Sequence, residues 1–257
     1  MPCKHFVFAI MTLCTLNMVH AQKLRILTYN IHHARNESGV VDVPTLARYI
    51  HEQQADIVAL QEVDSMCNRS GRIDIMQELG RLTGMYYYFG KAMNYDGGGY
   101  GEGLLCRWPI LNIATLQLPT DPALSSEPRS AIEATVLING KRPFKFIATH
   151  LDHLDDEKDR MLQTKFLAER YKEEKMPFIL AGDMNALPDS KPMEQLLSIA
   201  DIPRHDDLQP TWPSKKPTLK IDYILFSKNG GWRSLRFKVL NEDHISDHRP
   251  VMAEVAF

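Results

Sequence analysis

A layered α/β sandwich, four layers deep in the order α-β-β-α around two packed mixed β-sheets, is the fold class this sequence predicts, on three observations. Short apolar runs dominate the middle and both ends of the chain, helical patterns are set between them in each half, and Gly, Pro and Asn turns separate the runs. At 257 residues, with 44% hydrophobic and 24% charged residues and no repeat or low-complexity segment, the chain suits one large domain.

The opening stretch, MPCKHFVFAIMTLCTLNMVHAQ, has a basic start at Lys4, an apolar core from Phe6 to Leu16, and Val-His-Ala before Gln22. It reads as a secretory signal cut after Ala21, with 22–257 as the single mature domain. The apolar core is too short, and too interrupted by Thr and Asn, for a membrane anchor. Lipidation of Cys14 is disfavoured, because MTLC lacks the small residues that usually precede a lipidated cysteine. Past the signal no apolar run approaches the length that spans a bilayer.

KLRILTYNI (23–31) predicts a strand, and DVPTLARYIHEQQ (42–54) a helix capped by Asp42, with Pro44 in its first turn and Val43, Leu46, Ala47 and Ile50 on one face. DIVALQEV (56–63) is a buried strand by its continuous apolar run, and IDIMQELGRLTG (73–84) a helix stopped by Gly84. From Met85 the texture changes to short strands, at GLLCRWPIL (103–111), IATLQLP (113–119), AIEATVLING (131–140) and FKFIATHL (144–151). NYDGGGYGEG (94–103) lacks the Lys-Ser/Thr ending of a nucleotide-binding loop and stands before a strand, so it predicts a flexible hairpin or rim loop. A long helix follows over 155–172, its acidic first turn suiting the positive end of the dipole. The strand PFILAG (177–182), a short helix near 191–198, and the strands KIDYILFS (220–227), SLRFKVL (234–240) and VMAEVAF (251–257) complete the order.

Lys and Arg total 30 against 32 Asp and Glu, which excludes a general basic field that would draw in nucleic acid and leaves room for a local patch. Past the signal only Cys67 and Cys106 remain; they could pair in an oxidising compartment or stay free and buried.

Polar residues with ligand chemistry recur where a buried strand stops. Asn30 ends the first strand and Glu62 the second; His150 and Asp152 follow FKFIAT, Asp183 and Asn185 follow FILAG, Asp222 begins IDYILFS, and Asp247 and His248 precede RPVMAEV. Strand ends on one edge of a sandwich converge on a single pocket even at large sequence separation. Any one of them alone is a solvated cap or an Asx turn, and it is their number that points to a site. Carboxylates and an amide oxygen suit a hard divalent cation, Mg²⁺ or Mn²⁺, and no spacing suits a structural zinc site. A His with an Asp partner is a device for fixing a tautomer and supporting the imidazolium.

These residues resemble the endonuclease/exonuclease/phosphatase superfamily, in the blocks LTYNIHH, DIVALQEVD, GLLCRWPI, FIATHLDH, LAGDMNALPDS, IDYILFS and SDHRPV, which follow the family's order across residues 24–255. The resemblance implies that Asn30, Glu62 and Asp247 are metal-side residues and that Asp183 and Asn185 position the attacking water and the scissile phosphate. His248 would contact the phosphate or act as general acid/base, oriented by Asp222. His150 corresponds to the second histidine of the deoxyribonuclease and sphingomyelinase branches. Which group deprotonates the water stays open.

The departures are informative. His32 stands where abasic-site endonucleases carry a second metal-side Asp, and ATHLDH differs from their strand end, so the chain is nearer to the branch with THL. His32 and His33 would point to opposite sides of an extended segment, so at most one faces the pocket, and His32 is favoured. Arg129, in EPRSA, is a phosphate contact or a structural ion pair; Arg160 lies on a helix and reads as structural; His244 reads as loop. Asp152 and His32 join Arg129 as candidate substrate-binding residues. The implied activity is that of an exported Mg²⁺- or Mn²⁺-dependent phosphoesterase acting on a lipid head group, a glycerophosphodiester or a sugar phosphate. An extracellular endonuclease and a non-catalytic binding protein on the same fold are the rivals.

Overall fold

In the computed structural model, which describes residues 23–256 apart from 139, 141 and 203–207, two six-stranded sheets pack face to face. The signal segment expected at 1–21 lies outside the described residues. One sheet holds β1 (Lys23–Asn30), β2 (Ile57–Ser65), β3 (Tyr86–Tyr95), β4 (Gly98–Cys106), β11 (Arg233–Val239) and β12 (Val251–Ala256), ordered β11-β12-β1-β2-β4-β3. The other holds β5 (Ile110–Gln117), β6 (Ser130–Ile138), β7 (Arg142–His150), β8 (Phe178–Asp183), β9 (Ala200–Asp201) and β10 (Asp222–Ser227), ordered β5-β6-β7-β8-β10-β9. Both sheets are mixed: β1 and β2 run parallel, as do β7 and β8, and the remaining pairs are antiparallel.

The central strands are apolar on both faces because both faces are covered. Leu24 and Ile26 of β1, Ile57 and Ala59 of β2, and Ile179 and Ala181 of β8 share the core between the sheets. The alternate residues turn outward: Leu27, Tyr29, Val58 and Leu60 meet α1 (Val43–Glu52) and α2 (Ile75–Thr83) through Leu46, Ile50 and Leu79. Phe178 and Leu180 meet α3 (Lys158–Tyr171) and α4 (Lys191–Leu197) through Leu167, Met193 and Leu196. This is the expected α-β-β-α layering. Asp42 caps α1 by accepting from the Thr45 amide at 3.0 Å, and Asp74 caps α2 in the same way from Gln77.

Three local readings change. NYDGGGYGEG is a paired hairpin and not a rim loop: β3 and β4 are hydrogen-bonded along it, closed by Asp96 and Gly97, whose φ values of 43° and 80° are the two left-handed residues a tight turn needs. The strand predicted over 103–111 therefore begins earlier and ends at Cys106, before Pro109, where a new strand starts. Helix α3 starts at Lys158, so Asp155 and Asp156 precede it. Cys67 and Cys106 are both free and buried, which decides between the two alternatives for them.

Candidate active site

Strand register brings the polar strand ends into one row. His150 pairs with Asp183 across β7 and β8, and Asp183 pairs with Asp222 across β8 and β10. The close approach depends on Gly182, where a Cβ would stand 1.9 Å from the Thr149 carbonyl oxygen. The other sheet contributes Asn30 at the end of β1, Glu62 in β2, and Asp247 and His248 just before β12. Glu62 leaves the strand pattern because a bulge shifts the register of β2 on β4 between Leu60 and Val63, and its φ of 58° turns it out of line. The result is a cleft of about 780 Å³ lined by Glu62, His150, Asp183, Asn185, Asp247 and His248, among others.

Asn30 joins the two sheets. Its Nδ2 donates to Glu62 Oε1 at 2.9 Å and to Asp183 Oδ2 at 3.1 Å, while its Oδ1 accepts from the His32 amide at 3.1 Å. The amide thus orients two carboxylates, one of them the metal-side Glu62, while its oxygen accepts from backbone. Asp183 is buried and also accepts from the Asn185 amide at 2.9 Å. Burial, then repulsion from Asp222, raises its pKa against the opposing pull of His248 and its hydrogen bonds.

His248 Nδ1 lies 3.0 Å from Asp222 Oδ2, and its Nε2 lies 3.8 Å from Asp183 Oδ2. Burial opposes its positive charge, but Asp222, Asp183 and Asp247 outweigh burial and lift its pKa to about 10. His150 is the opposite case: burial, then the Arg129 guanidinium, hold its pKa well below the ordinary value. Arg129 Nη1 lies 3.0 Å from His150 Nδ1, and because a guanidinium only donates, Nδ1 accepts; Nε2 lies 3.0 Å from Asn185 Nδ2 and 3.6 Å from Asp183 Oδ2. His150 is therefore a neutral hydrogen-bonding group and not a second cation.

Arg129 is itself buried, with Nη2 2.9 Å from His153 Nδ1 and 3.2 Å from Glu127 Oε2. It makes the ion pair and lines the cleft as well. Asp152 does not line the cleft: it is fully buried beside α3, where Oδ2 accepts from the Leu154 amide at 3.0 Å and pairs with Arg160 at 4.0 Å. The substrate-binding role expected of Asp152 is replaced by a structural one, because the chain turns inward directly after His150. Arg160 donates to the carbonyls of Asp152 and Leu154, as a structural residue would. His244 is an exposed loop residue.

His32 is half-buried, with Nδ1 3.8 Å from Asp247 Oδ1. The segment is not extended: His32, His33 and Ala34 all have positive φ, so the premise that the two rings diverge is overturned. His33 is buried, and burial followed by Arg69 lowers its pKa to about 4.

Other residues at the cleft escaped notice in the sequence. Trp212 Nε1 donates to Asp247 Oδ2 at 3.4 Å, and its ring lies 6.4 Å from that of His248. Arg69 pairs with both oxygens of Asp64 at 2.8 Å under the Tyr95 ring. Glu102 is fully buried, accepts from Ser130 Oγ at 3.3 Å, and is pushed by burial up to about 8. Its one signal was an acidic residue between two glycines on a strand.

The donor set fits a divalent cation. Glu62 and Asp247 are part-exposed carboxylates on the open side of the cleft, and Glu62 Oε2 is free of the Asn30 bond that occupies Oε1. A ring nitrogen of His33 groups with Glu62 and His32, and His33 Nδ1 is buried without a hydrogen-bond partner among the described residues.

The profile of the Endonuclease/Exonuclease/phosphatase family matches residues 27–248. The chain belongs to this family. Its members hydrolyse phosphoester bonds and generally depend on a divalent metal. Among curated proteins, the chain is 28% identical over 133 residues to Protein cwh43 of Schizosaccharomyces pombe, a match taking in 52% of this chain and 13% of that protein. Among solved structures, a family member from Bacteroides thetaiotaomicron superposes with a TM-score of 0.75 at 21% identity, covering 93% of this chain and 99% of that one. A mannosyl-6-phosphatase from the same organism superposes with a TM-score of 0.74 at 20% identity, covering 91% of this chain and all (100%) of that one. At these identities the solved structures speak for the fold alone.

Proposed function

We propose that this family member is an exported enzyme that hydrolyses a small phosphoester, such as a lipid head group, a glycerophosphodiester or a sugar phosphate, by in-line attack of water. The observation that carries the reading is the buried row of His248, Asp183 and Asp222, whose ligand atoms lie within 4.8 Å of one another beside the open carboxylates Glu62 and Asp247. Glu62 and Asp247 would hold a divalent cation, which when bound would supply positive charge against the phosphoryl group. His248, kept cationic by Asp222, presents Nε2 to a non-bridging oxygen of the phosphoryl group. Asp183, fixed by Asn30 and the Asn185 amide, orients the water, and its raised pKa brings it towards the range in which it accepts a proton. Neutral His150 accepts from Arg129 through Nδ1 and turns Nε2 towards Asn185 and Asp183 in the cleft.

The substrate class rests on charge. Among the described residues, the cleft arginines Arg69, Arg129 and Arg160 are engaged by Asp64, Glu127 and Glu157, which disfavours a basic track for a duplex backbone. The mannosyl-6-phosphatase on the same fold is compatible with a sugar phosphate. Export rests on the N-terminal pattern alone.

The test is a panel of phosphoesters and supercoiled plasmid, run on the mature chain with Mg²⁺, Mn²⁺ or chelator. Metal-stimulated turnover of a small ester without nicking of the plasmid is expected. Plasmid cleavage with steep salt dependence would replace this reading with a nuclease, and metal binding without any hydrolysis would replace it with a binding protein. Recovery of the processed chain outside the cytoplasm checks export; retention of the unprocessed chain inside would refute it.

A further inference from the structure

One ligand atom from each of His32, His33 and Glu62 lies within 4.8 Å of the other two. The left-handed turn makes this possible: φ values of 45°, 47° and 58° at His32, His33 and Ala34 bring the two rings together edge to face, with centroids 4.4 Å apart. Left-handed backbone is disfavoured for non-glycine residues, so three in a row are a strained way to arrange two side chains. Glu62 meets them from a bulge that is itself left-handed.

The second observation is a buried atom with nothing to bond. His33 is 5% exposed, yet its Nδ1 has no hydrogen-bond partner among the described residues. Burying a polar atom unpaired is unfavourable, and a cation bound at that nitrogen would offset the cost. His32 extends the same cluster towards Asp247, 3.8 Å from its Nδ1.

We propose that His32 and His33 are metal ligands which, with Glu62, form a mixed nitrogen and oxygen seat that takes a first-row transition-metal dication in preference to Mg²⁺. Imidazole nitrogen suits Fe²⁺, Ni²⁺ and Zn²⁺, with Mn²⁺ the weakest binder of that first-row series and a usable spectroscopic probe of it, whereas Mg²⁺ favours an all-oxygen octahedron and gives up water reluctantly. The inference rests on the phosphoesterase reading only in sharing Glu62 with it, and it names the metal class that reading left open.

The experiment uses the metal-free mature chain, titrated by calorimetry with MnCl₂ and separately with MgCl₂, and the Mn²⁺ complex examined by pulsed EPR for directly bound ¹⁴N. Mn²⁺ should bind at least about tenfold more tightly than Mg²⁺, and His32→Gln and His33→Gln should each weaken Mn²⁺ about tenfold or more while Mg²⁺ moves far less. The ¹⁴N coupling is read on the unaltered protein, so a poorly folding His33→Gln leaves the test intact. Equal affinities for the two ions, or a Mn²⁺ complex without ¹⁴N coupling, would overturn the proposal. Mg²⁺-supported hydrolysis together with that null spectrum would sink the histidine seat and leave the hydrolase reading standing. Nitrogen coupling with no hydrolysis across the panel would do the reverse.

Discussion

His248 and His150 approach the same oxygen of Asp183, at 3.8 and 3.6 Å, in opposite protonation states. Asp222 supports charge on the first, and Arg129 with burial suppresses it on the second. Two imidazoles of similar intrinsic basicity thereby take different work around one carboxylate.

Asp222→Asn should remove the partner that keeps His248 charged. Activity that needs the imidazolium is present below its pKa and lost as pH rises through it. The basic limb of the kcat/KM profile should therefore move to lower pH, with kcat down about 10²-fold. A profile whose basic limb stays in place would break the link between Asp222 and His248.

Arg129→Met should let the His150 pKa rise, because a nearby cation no longer opposes protonation. Burial is the larger cause and persists, so the rise should be partial. Imidazole titration followed by NMR measures it directly, and an unmoved His150 would show that Arg129 does not set its state.

The metal-free protein should lose stability as pH rises from about 7 to about 10. His248 titrates near 6.5 when unfolded and near 10 when folded, so its contribution is full below the first value and gone above the second. Glu102, raised to about 8, acts in the same direction over the lower part of that window. Thermal melts across the range should show the decline, and His248→Gln should flatten its upper part.

Asp152→Asn separates structure from chemistry. The carboxylate, fully buried, holds the Leu154 amide and faces Arg160 from behind the cleft wall that Leu154 and Arg160 help to form. Stability should fall by about 1–3 kcal/mol while kcat and KM in the folded protein barely change. A large loss of kcat at unchanged stability would return Asp152 to the active site.

Gly182→Ala should be among the most damaging single changes. The added carbon would meet the Thr149 carbonyl oxygen at 1.9 Å, inside the β7 and β8 ladder that aligns His150 with Asp183. Destabilisation of about 3 kcal/mol or more is expected from denaturant melts.

Much of this was legible in the chain because central strands covered on both faces read as unbroken apolar runs, and because the polar residues stand where those runs stop. Asn30, Glu62, His150, Asp183, Asn185, Asp222, Asp247 and His248 meet in one place for that reason. What escaped was conformation without a sequence signature. Nothing in Ile-His-His-Ala announces three left-handed residues, since neither Gly nor Asn is present. Asp152 misled because it sits two residues past a strand end that does belong to the cleft. Glu102 and Trp212 were hidden because a lone acidic or aromatic residue on a strand or loop is ordinary until its neighbours are known.

Asn30 to Asp183 and His248 to Asp222 are both bonds from one sheet to the other. The cleft is therefore a seam, and it gauges how the sheets are seated on each other. Ile26, Ala59, Ile179 and Phe146 fill the layer that sets this seating without touching substrate. Resizing one of them would slide the halves of the constellation past each other, so turnover should respond to changes deep in the interior at which the fold itself survives.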